Sequence, residues 1–246
     1  MRGEKGLTLH TSTCPTQSLF FEKFTRGMLG RMGRDIRSNA GLSHLVLLKM
    51  INNVENNLER EFLSEKEMRF NLMCIFYIIV CFGASLRGCE GFMIERSDLI
   101  LHNERGRHDP DIPHVVVPLL GRFKGETGEK SHLLLLANTT NSGIPIRKWV
   151  DRVVSLLLQE SLTSVGAGVC NSDGSPITSV EVDTWFKTQV ERVQEERPDL
   201  IEERVCVQDD FGIFRSMRKG SESRATEVGV GSREIDLINR WRKVEC

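Results

Sequence analysis

The segment from Leu72 to Phe82 constrains the fold most, because it is a continuous apolar run without a single charged residue. Just before it, Ser64 and Glu67 have the spacing of a capping box, which predicts a helix that begins at Ser64 and continues through Phe82. A helix that is apolar nearly all round is expected to be buried among other elements. The run is too short for the ~20 residues of a membrane span. We therefore expect a soluble protein built around one central helix, with no membrane as partner.

The pattern on either side of this helix predicts a mostly helical α+β fold. Two β-type runs, His114–Gly121 and Ser131–Ala137, flank a Gly-rich basic turn and predict an antiparallel hairpin. Ser97–Leu101 is expected to be a further short strand. Apolar spacing and capping residues predict helices over Ser18–Met32, Leu42–Leu58, Ile144–Glu160, Val180–Arg197, Gly212–Val228 and Arg233–Val244. The expected fold class is a helical domain with a small antiparallel sheet.

Composition narrows the class of protein further. The 246 residues suffice for one large domain or two small ones, at ~100–200 residues per domain. With 39% hydrophobic residues and a net charge of -1, an intrinsically disordered chain is excluded. The seven cysteines include no C-x-x-C pair, and the polar segment Met1–His10 has no signal-peptide core. We expect reduced thiols in an intracellular compartment, with neither metal nor cofactor.

The near-zero net charge conceals an uneven distribution. Residues 1–49 carry eight Lys/Arg and three Asp/Glu, residues 181–210 carry four and ten, and residues 211–246 carry eight and five. Basic ends of this kind are compatible with an anionic partner, although charge alone favours solvated helix faces. The basic residues expected to meet such a partner in the first block are Lys23, Arg26, Arg31, Arg34 and Arg37.

Three short segments are candidates for a site. Arg87 follows the apolar helix in Leu86–Glu90, where it needs an anion or a carboxylate, and Glu90 lies three residues further on. A local Arg87–Glu90 ion pair is the alternative interpretation. In the hairpin turn, Lys124 or Lys130 can reach into a cleft and donate a proton, unless the turn is merely solvated.

The third segment is the basic stretch around Arg215 and Arg218, which also holds Lys219 and Arg224. Residues three apart share a helix face, so two arginines there repel each other unless an anion lies between them. A phosphodiester fits the guanidinium fork in a bidentate manner. The alternative is a solvated basic face.

In this order, the three segments resemble the motifs of the tyrosine recombinase (phage integrase) family of DNA strand transferases. Leu86–Glu90 looks like box I, usually Leu-Arg-x-x-Glu, and Arg215–Gly220 looks like box II, often His-x-Leu-Arg-Arg-Gly. The hairpin is similar to the family's β-turn lysine, and Ile238–Arg242 resembles its closing Gly-Arg-Trp stretch. The match covers roughly residues 64–246, and Arg215–Gly220 looks more like recombinases of eukaryotic mobile elements than bacterial ones.

The resemblance implies a role for each matching residue. Arg87 and Arg218 would clamp the scissile phosphate and stabilise the pentacovalent transition state, with Glu90 orienting Arg87. Lys124 would protonate the leaving 5′ oxygen, with Lys130 as second choice. Trp241 would offer its indole N–H to the phosphate. Arg215 stands where the family has His or Lys, and an arginine can bind the phosphate but is a poor proton shuttle because its guanidinium stays protonated.

The nucleophile is the main departure from the family pattern. The family's tyrosine lies beyond the Trp position, whereas the one tyrosine here, Tyr77, precedes Arg87 inside the apolar helix and is expected to be a core residue. We therefore expect a recombinase catalytic domain over residues 63–246 that is either cut short at its C-terminus or a degenerate copy. Residues 1–62 would be the end of a helical DNA-clasping (core-binding) domain with its linker.

The resemblance implies a function in DNA integration or recombination of mobile DNA, with duplex DNA as partner and no covalent chemistry by this chain alone. Family members assemble as tetramers on DNA, which leaves a homo-oligomer open. The location would be the nucleus in a eukaryote and otherwise the cytoplasm. A non-catalytic DNA-binding or regulatory module of the same fold is the second hypothesis. A helical interaction protein whose box arginines pair internally with Asp/Glu is the third.

Overall fold

The computed structural model describes residues 40–59, 63–109, 111–121 and 130–238 of the chain. The expected helix Ser18–Met32 lies outside these residues. In chain order the described elements are α1 (His44–Leu58), α2 (Glu65–Gly83), α3 (Gly88–Gly91), α4 (Arg96–His108), β1 (His114–Gly121), β2 (Lys130–Ala137), α5 (Ile146–Gln159), α6 (Ser179–Glu196), α7 (Val207–Asp210), α8 (Ser216–Glu227) and α9 (Ser232–Ile238). The α+β, mostly helical fold class is confirmed.

Helix α2 is the centre of the core, as its apolar run predicts. It begins at the predicted capping box, in which the Glu67 N–H donates to Ser64 Oγ and the Ser64 N–H donates to Glu67 Oε2. Every residue from Met73 to Cys81 is fully buried. Helices α1, α5, α6 and α8 contact α2. Burying one large apolar side chain contributes ~1.5–3 kcal/mol, so the burial of this helix is a substantial source of stability.

The predicted hairpin is also confirmed. Strands β1 and β2 pair antiparallel, with His114 opposite Ala137 and Gly121 opposite Lys130. Alternate residues of β1, such as Val115 and Val117, are buried against the helices.

The short strand expected over Ser97–Leu101 is wrong, because these residues belong to α4. Asp98 lies in the first turn and Arg105, Arg107 and His108 in the last, which matches the helix dipole at both ends. Asn103 packs this helix onto β1: its Nδ2 donates to the Val116 carbonyl at 2.7 Å and its Oδ1 accepts the Val116 N–H at 3.0 Å.

Helix α1 packs against α2 and α6 and belongs to the same compact unit as the segments after it. Glu196 on α6 joins the two helices, because it accepts from Asn53 Nδ2 at 3.0 Å and pairs with Lys49 at 2.6 Å. The division into a DNA-clasping segment over 1–62 and a catalytic segment over 63–246 stays a prediction.

Candidate functional site

The turn that follows α2 shapes the first half of the candidate site. Ser85 has a left-handed φ of 50°, and the Leu86 N–H returns to the Cys81 carbonyl at 2.8 Å. Together with the Ser85 N–H bond to the Phe82 carbonyl at 3.2 Å, this is a Schellman ending, in which Ser85 takes the place usually held by glycine. The turn ends the apolar helix abruptly and directs the chain into Arg87.

Arg87 and Glu90 form the start of the short helix α3. Arg87 is the half-buried N-cap residue, and its backbone N–H donates to Glu90 Oε2 at 2.8 Å. Glu90 itself is buried. The hydrogen bond between the two residues therefore involves the backbone of Arg87, and it holds the Glu90 carboxylate at the start of α3.

Tyr77 lies directly beneath this helix and is a core residue, as expected from the sequence. It is fully buried, stacks on Phe92 with ring centroids 4.6 Å apart, and donates its hydroxyl to the Gly88 carbonyl at 2.8 Å. Burial raises the pKa of the Tyr77 hydroxyl far above its ordinary value. The hydroxyl is therefore neutral and engaged in packing.

Gly88 brings α3 against the chain that leads into α8. A Cβ at Gly88 would lie 2.7 Å from the Ile213 carbonyl oxygen and 2.9 Å from Tyr77 Oη. The Ile213 N–H in turn donates to Asp183 Oδ1 on α6 at 2.9 Å. The start of α3 and the segment that leads into α8 are thus in direct backbone contact at Gly88 and Ile213.

Helix α8 provides the second half of the site. The Gly212 N–H donates to Ser216 Oγ at 3.1 Å, and Arg215 is the N-cap residue with a φ of -135°. Arg215 is exposed, whereas Arg218 in the first turn is buried. The two arginines therefore differ in environment, because Arg215 precedes the helix instead of sharing its face.

Arg218 connects the two halves. Its Nε donates to the Ser85 carbonyl at 3.0 Å, and its Nη2 lies 3.9 Å from Glu90 Oε2. Glu222, one turn further along α8, places Oε1 3.7 Å from Arg218 Nε. One buried guanidinium thus lies between two carboxylates and the αL turn.

The other residues predicted from the sequence lie on α8, at the start of β2 or outside the described part of the chain. Lys219 is exposed on α8, and Arg224 pairs with Glu227 at 3.2 Å and donates to Ser142 Oγ at 3.0 Å. Lys130 begins β2, opposite Gly121. The predicted residues outside the described part of the chain are Lys23, Arg26, Arg31, Arg34, Arg37, Lys124 and Trp241.

Two residues of this cluster were not predicted. Glu222 is four residues after Arg218, a spacing that indicates a helical ion pair and is visible in the sequence. Ser85 contributes through its backbone carbonyl, so its residue type gives no signal in the sequence.

The described part of the chain shows neither a candidate metal site nor a helix that could span a membrane. Among the described residues, no three His, Cys, Asp or Glu side chains are grouped so as to hold a metal ion. No helix of the described ranges combines the length and the apolar character needed to cross a membrane.

Comparison with known proteins shows a similarity of structure. No protein-family model matches the chain, and no curated protein matches it. Among solved structures, the chain is similar to a XerH site-specific recombinase bound to difH substrate in a pre-cleavage complex, with a TM-score of 0.48 and 14% identity. The alignment covers 83% of this chain and 48% of the XerH chain, so this chain spans about half the length of that recombinase.

Proposed function

We propose that residues 63–246 are a DNA strand-transferase catalytic domain of the tyrosine recombinase type, which grips a phosphate of duplex DNA with Arg87 and Arg218. The observation that carries the proposal is the contact between Arg218 and Ser85, 133 residues apart in sequence, at 3.0 Å. It places the segment that resembles box II beside the segment that resembles box I.

The electrostatics around α8 favour an anion at its beginning. The N-cap Arg215 has no side-chain acceptor for the first-turn N–H groups, so the N-terminus has no side-chain cap. The positive end of the helix dipole and the exposed Arg215 lie at this end of α8, and Arg87 precedes Gly88, which contacts the chain at Ile213. Guanidinium groups suit a phosphodiester because two parallel N–H donors meet two oxygens.

The remaining roles extend the proposal to residues outside the described part. In the reaction of the family, a tyrosine oxygen attacks the phosphorus, a 3′-phosphotyrosine bond forms and the P–O5′ bond breaks. The leaving 5′ oxygen would take its proton from Lys124, with Lys130 as second choice, and Trp241 would contact the phosphate. Residues 1–62, with Lys23, Arg26, Arg31, Arg34 and Arg37, would clasp the DNA, and recombination or integration of mobile DNA would be the biological setting.

A second candidate function is non-catalytic DNA binding by the same fold. The specific observation in its favour is Tyr77, the one tyrosine of the sequence, whose hydroxyl is buried and bonded to the Gly88 carbonyl. This residue is unsuited to attack DNA. In this case the chain would bind DNA and form no covalent bond to it.

The first experiment measures binding to a fluorescent duplex of mixed sequence by anisotropy, at ~50 and ~200 mM salt. We expect affinity to fall steeply with salt, because binding to phosphates releases counterions. Arg87→Ala and Arg218→Ala should each weaken binding about tenfold or more. Arg204→Ala is the matched control, since Arg204 is exposed and pairs with Glu202. Equal binding by all four proteins, or no salt dependence, would contradict the proposal.

The second experiment separates the two candidate functions. The chain is incubated with a nicked suicide duplex and the products are run on a denaturing gel. Binding without an adduct is expected of both candidate functions for the chain alone, whereas an adduct that forms only when the reading frame is extended past Cys246 supports the catalytic one. An adduct that persists in Tyr77→Phe indicates a nucleophile other than tyrosine, and one that disappears shows that Tyr77 reaches the DNA.

A further inference from the structure

Glu222 places a negative charge beside Arg218, which is unexpected in a site proposed to bind phosphate. Its side chain is 23% exposed and its Oε1 is 3.7 Å from Arg218 Nε, on the same helix. Glu90 holds a second carboxylate 3.9 Å from Arg218 Nη2. A phosphate that approaches Arg218 therefore meets two carboxylates beside the guanidinium.

The two carboxylates differ in what else they do. Glu90 Oε2 also accepts the Arg87 N–H at 2.8 Å, so it holds the start of α3 in place. Glu222 is the more exposed of the two, and it lies one helical turn beyond Arg218. Both distances exceed the 2.7–2.9 Å of a strong charge-assisted hydrogen bond. The interaction of Glu222 with Arg218 is consequently coulombic, and another anion that reached Arg218 would compete with it.

We propose that Glu222 is a resident counter-ion of Arg218 that competes with DNA phosphate and thereby lowers the affinity of the site. The inference rests on the proposed function, because it assumes that Arg218 binds phosphate. The alternative is that Glu222 is a positioning residue, which holds Arg218 in the orientation that phosphate needs. The two possibilities predict opposite signs for the loss of the Glu222 charge.

The test is the affinity of Glu222→Gln for the same fluorescent duplex. The amide has nearly the shape of the carboxylate but no charge, so we expect binding about three- to tenfold tighter than in the natural chain, by removal of a nearby like charge. Glu227→Gln is the matched control, because it removes one negative charge from the same helix at a residue that pairs with Arg224. Glu227→Gln should change DNA affinity by less than about twofold, because this charge acts on the DNA only at long range, where salt screens it.

A double-mutant cycle assigns the effect to Arg218. In an Arg218→Ala background, Glu222→Gln should give no more gain than Glu227→Gln, because the competing charge has lost the group it competes for. Glu222→Asp keeps the charge but withdraws it by one methylene, so a smaller gain in the same direction is expected. This variant provides the test if the glutamine variant unfolds.

The outcomes distinguish failure of the inference from failure of the proposed function. Weaker binding by Glu222→Gln, or a gain equal to that of Glu227→Gln, overturns the counter-ion inference. A gain of the same size in the Arg218→Ala background also overturns it. If Arg218→Ala binds DNA as well as the natural chain, the phosphate clamp itself fails.

Discussion

Two buried arginines, Arg96 and Arg218, each only 7% exposed, have different kinds of partner. Arg96 begins α4 and donates to the main-chain oxygens of Ser164 at 2.8 Å, Gly174 at 3.1 Å and Val165 at 3.2 Å. Arg218 donates to the Ser85 carbonyl and lies between the carboxylates of Glu90 and Glu222. Equal burial therefore conceals two different arrangements.

Arg69 on α2, like Arg96, has loop carbonyls as partners, and it has one carboxylate partner in addition. Its Nη2 donates to the carbonyls of Cys170 and Asn171 at 3.0 Å each, and its Nη1 pairs with Glu160. Carbonyl oxygens of a loop are fixed by the backbone, so an arginine that binds several of them braces the loop. A carboxylate beside Arg218 can be replaced by a phosphate, because both anions fit the same guanidinium fork. The chemistry of the partners, more than burial, separates a bracing arginine from a candidate binding arginine.

The largest effect is expected from Arg96→Ala. The change leaves buried carbonyls of the loop without their donor, and we expect a loss of about 2–4 kcal/mol in the free energy of unfolding. Urea denaturation followed by circular dichroism measures it. DNA affinity of the folded fraction should stay within about twofold. A loss under about 1 kcal/mol would mean that Arg96 does not brace the loop.

The second prediction concerns the contact that aligns the two halves of the site. Gly88→Ala would place a methyl group 2.7 Å from the Ile213 carbonyl oxygen, a backbone atom that cannot turn aside. We expect a destabilisation of about 1–3 kcal/mol, as for other overpacked sites. DNA affinity should also fall, because α3 and the start of α8 must separate. Gly143→Ala is the control for a glycine with open space, although its φ of 82° also carries a strain cost of about 1 kcal/mol. Equal stability of Gly88→Ala and the natural chain would contradict the contact.

Much of the fold could be predicted from periodicity and capping, because these are local properties of the sequence. The helix from Ser64 and the hairpin from His114 are examples, since a capping box and an apolar alternation each specify one structure. The strand predicted over Ser97–Leu101 was wrong because it, too, was inferred from local properties of the sequence. Five residues are too few for periodicity to distinguish a strand from the first turns of a helix, and contacts such as Asn103 with β1 decide the outcome.

The candidate site shows where sequence reasoning stops. The order of the motifs led to Arg87, Glu90 and Arg218 as candidates, but spacing alone linked Glu90 to Arg87 through their side chains. The structure adds the contacts of Arg218 with Ser85 and Glu90, which depend on where α8 packs. Long-range packing of this kind leaves no local pattern. The αL conformation of Ser85 is likewise a consequence of the turn and not of the residue type.

The third prediction tests whether Arg218 binds by its fork or only by its charge. Arg218→Lys keeps the charge but cannot form two parallel hydrogen bonds, so we expect DNA affinity to fall about tenfold, which is about 1.4 kcal/mol. The salt dependence of binding should stay the same, because the number of charges is unchanged. The matched control is Arg204→Lys. Affinity equal to that of the natural chain would mean that Arg218 makes no bidentate contact.

The smallest effect is expected at an ion-pair cluster that lies on the surface, unlike the three buried arginines. Glu196 pairs with Lys49 at 2.6 Å and accepts from Arg192 Nε at 2.8 Å and Asn53 Nδ2 at 3.0 Å. These partners, Lys49 first, lower the pKa of Glu196 from 4.5 to about 2. A carboxylate with a lowered pKa stabilises the fold above its ordinary pKa, and this stability is lost as the pH falls from 4.5 towards 2.

Glu196→Gln removes this contribution. The side chain is 33% exposed, so solvent screening reduces the effect to about 0.5–1 kcal/mol at pH 7. The difference in unfolding free energy between the natural chain and the variant should be constant above about pH 5 and shrink as the pH falls to about 3. Glu203→Gln, at an exposed glutamate, provides the control for charge removal. A gap that stayed constant or widened at low pH would show that the cluster acts by shape and not by charge. The surface ion pairs would then stabilise the junction of α1 and α6 through packing.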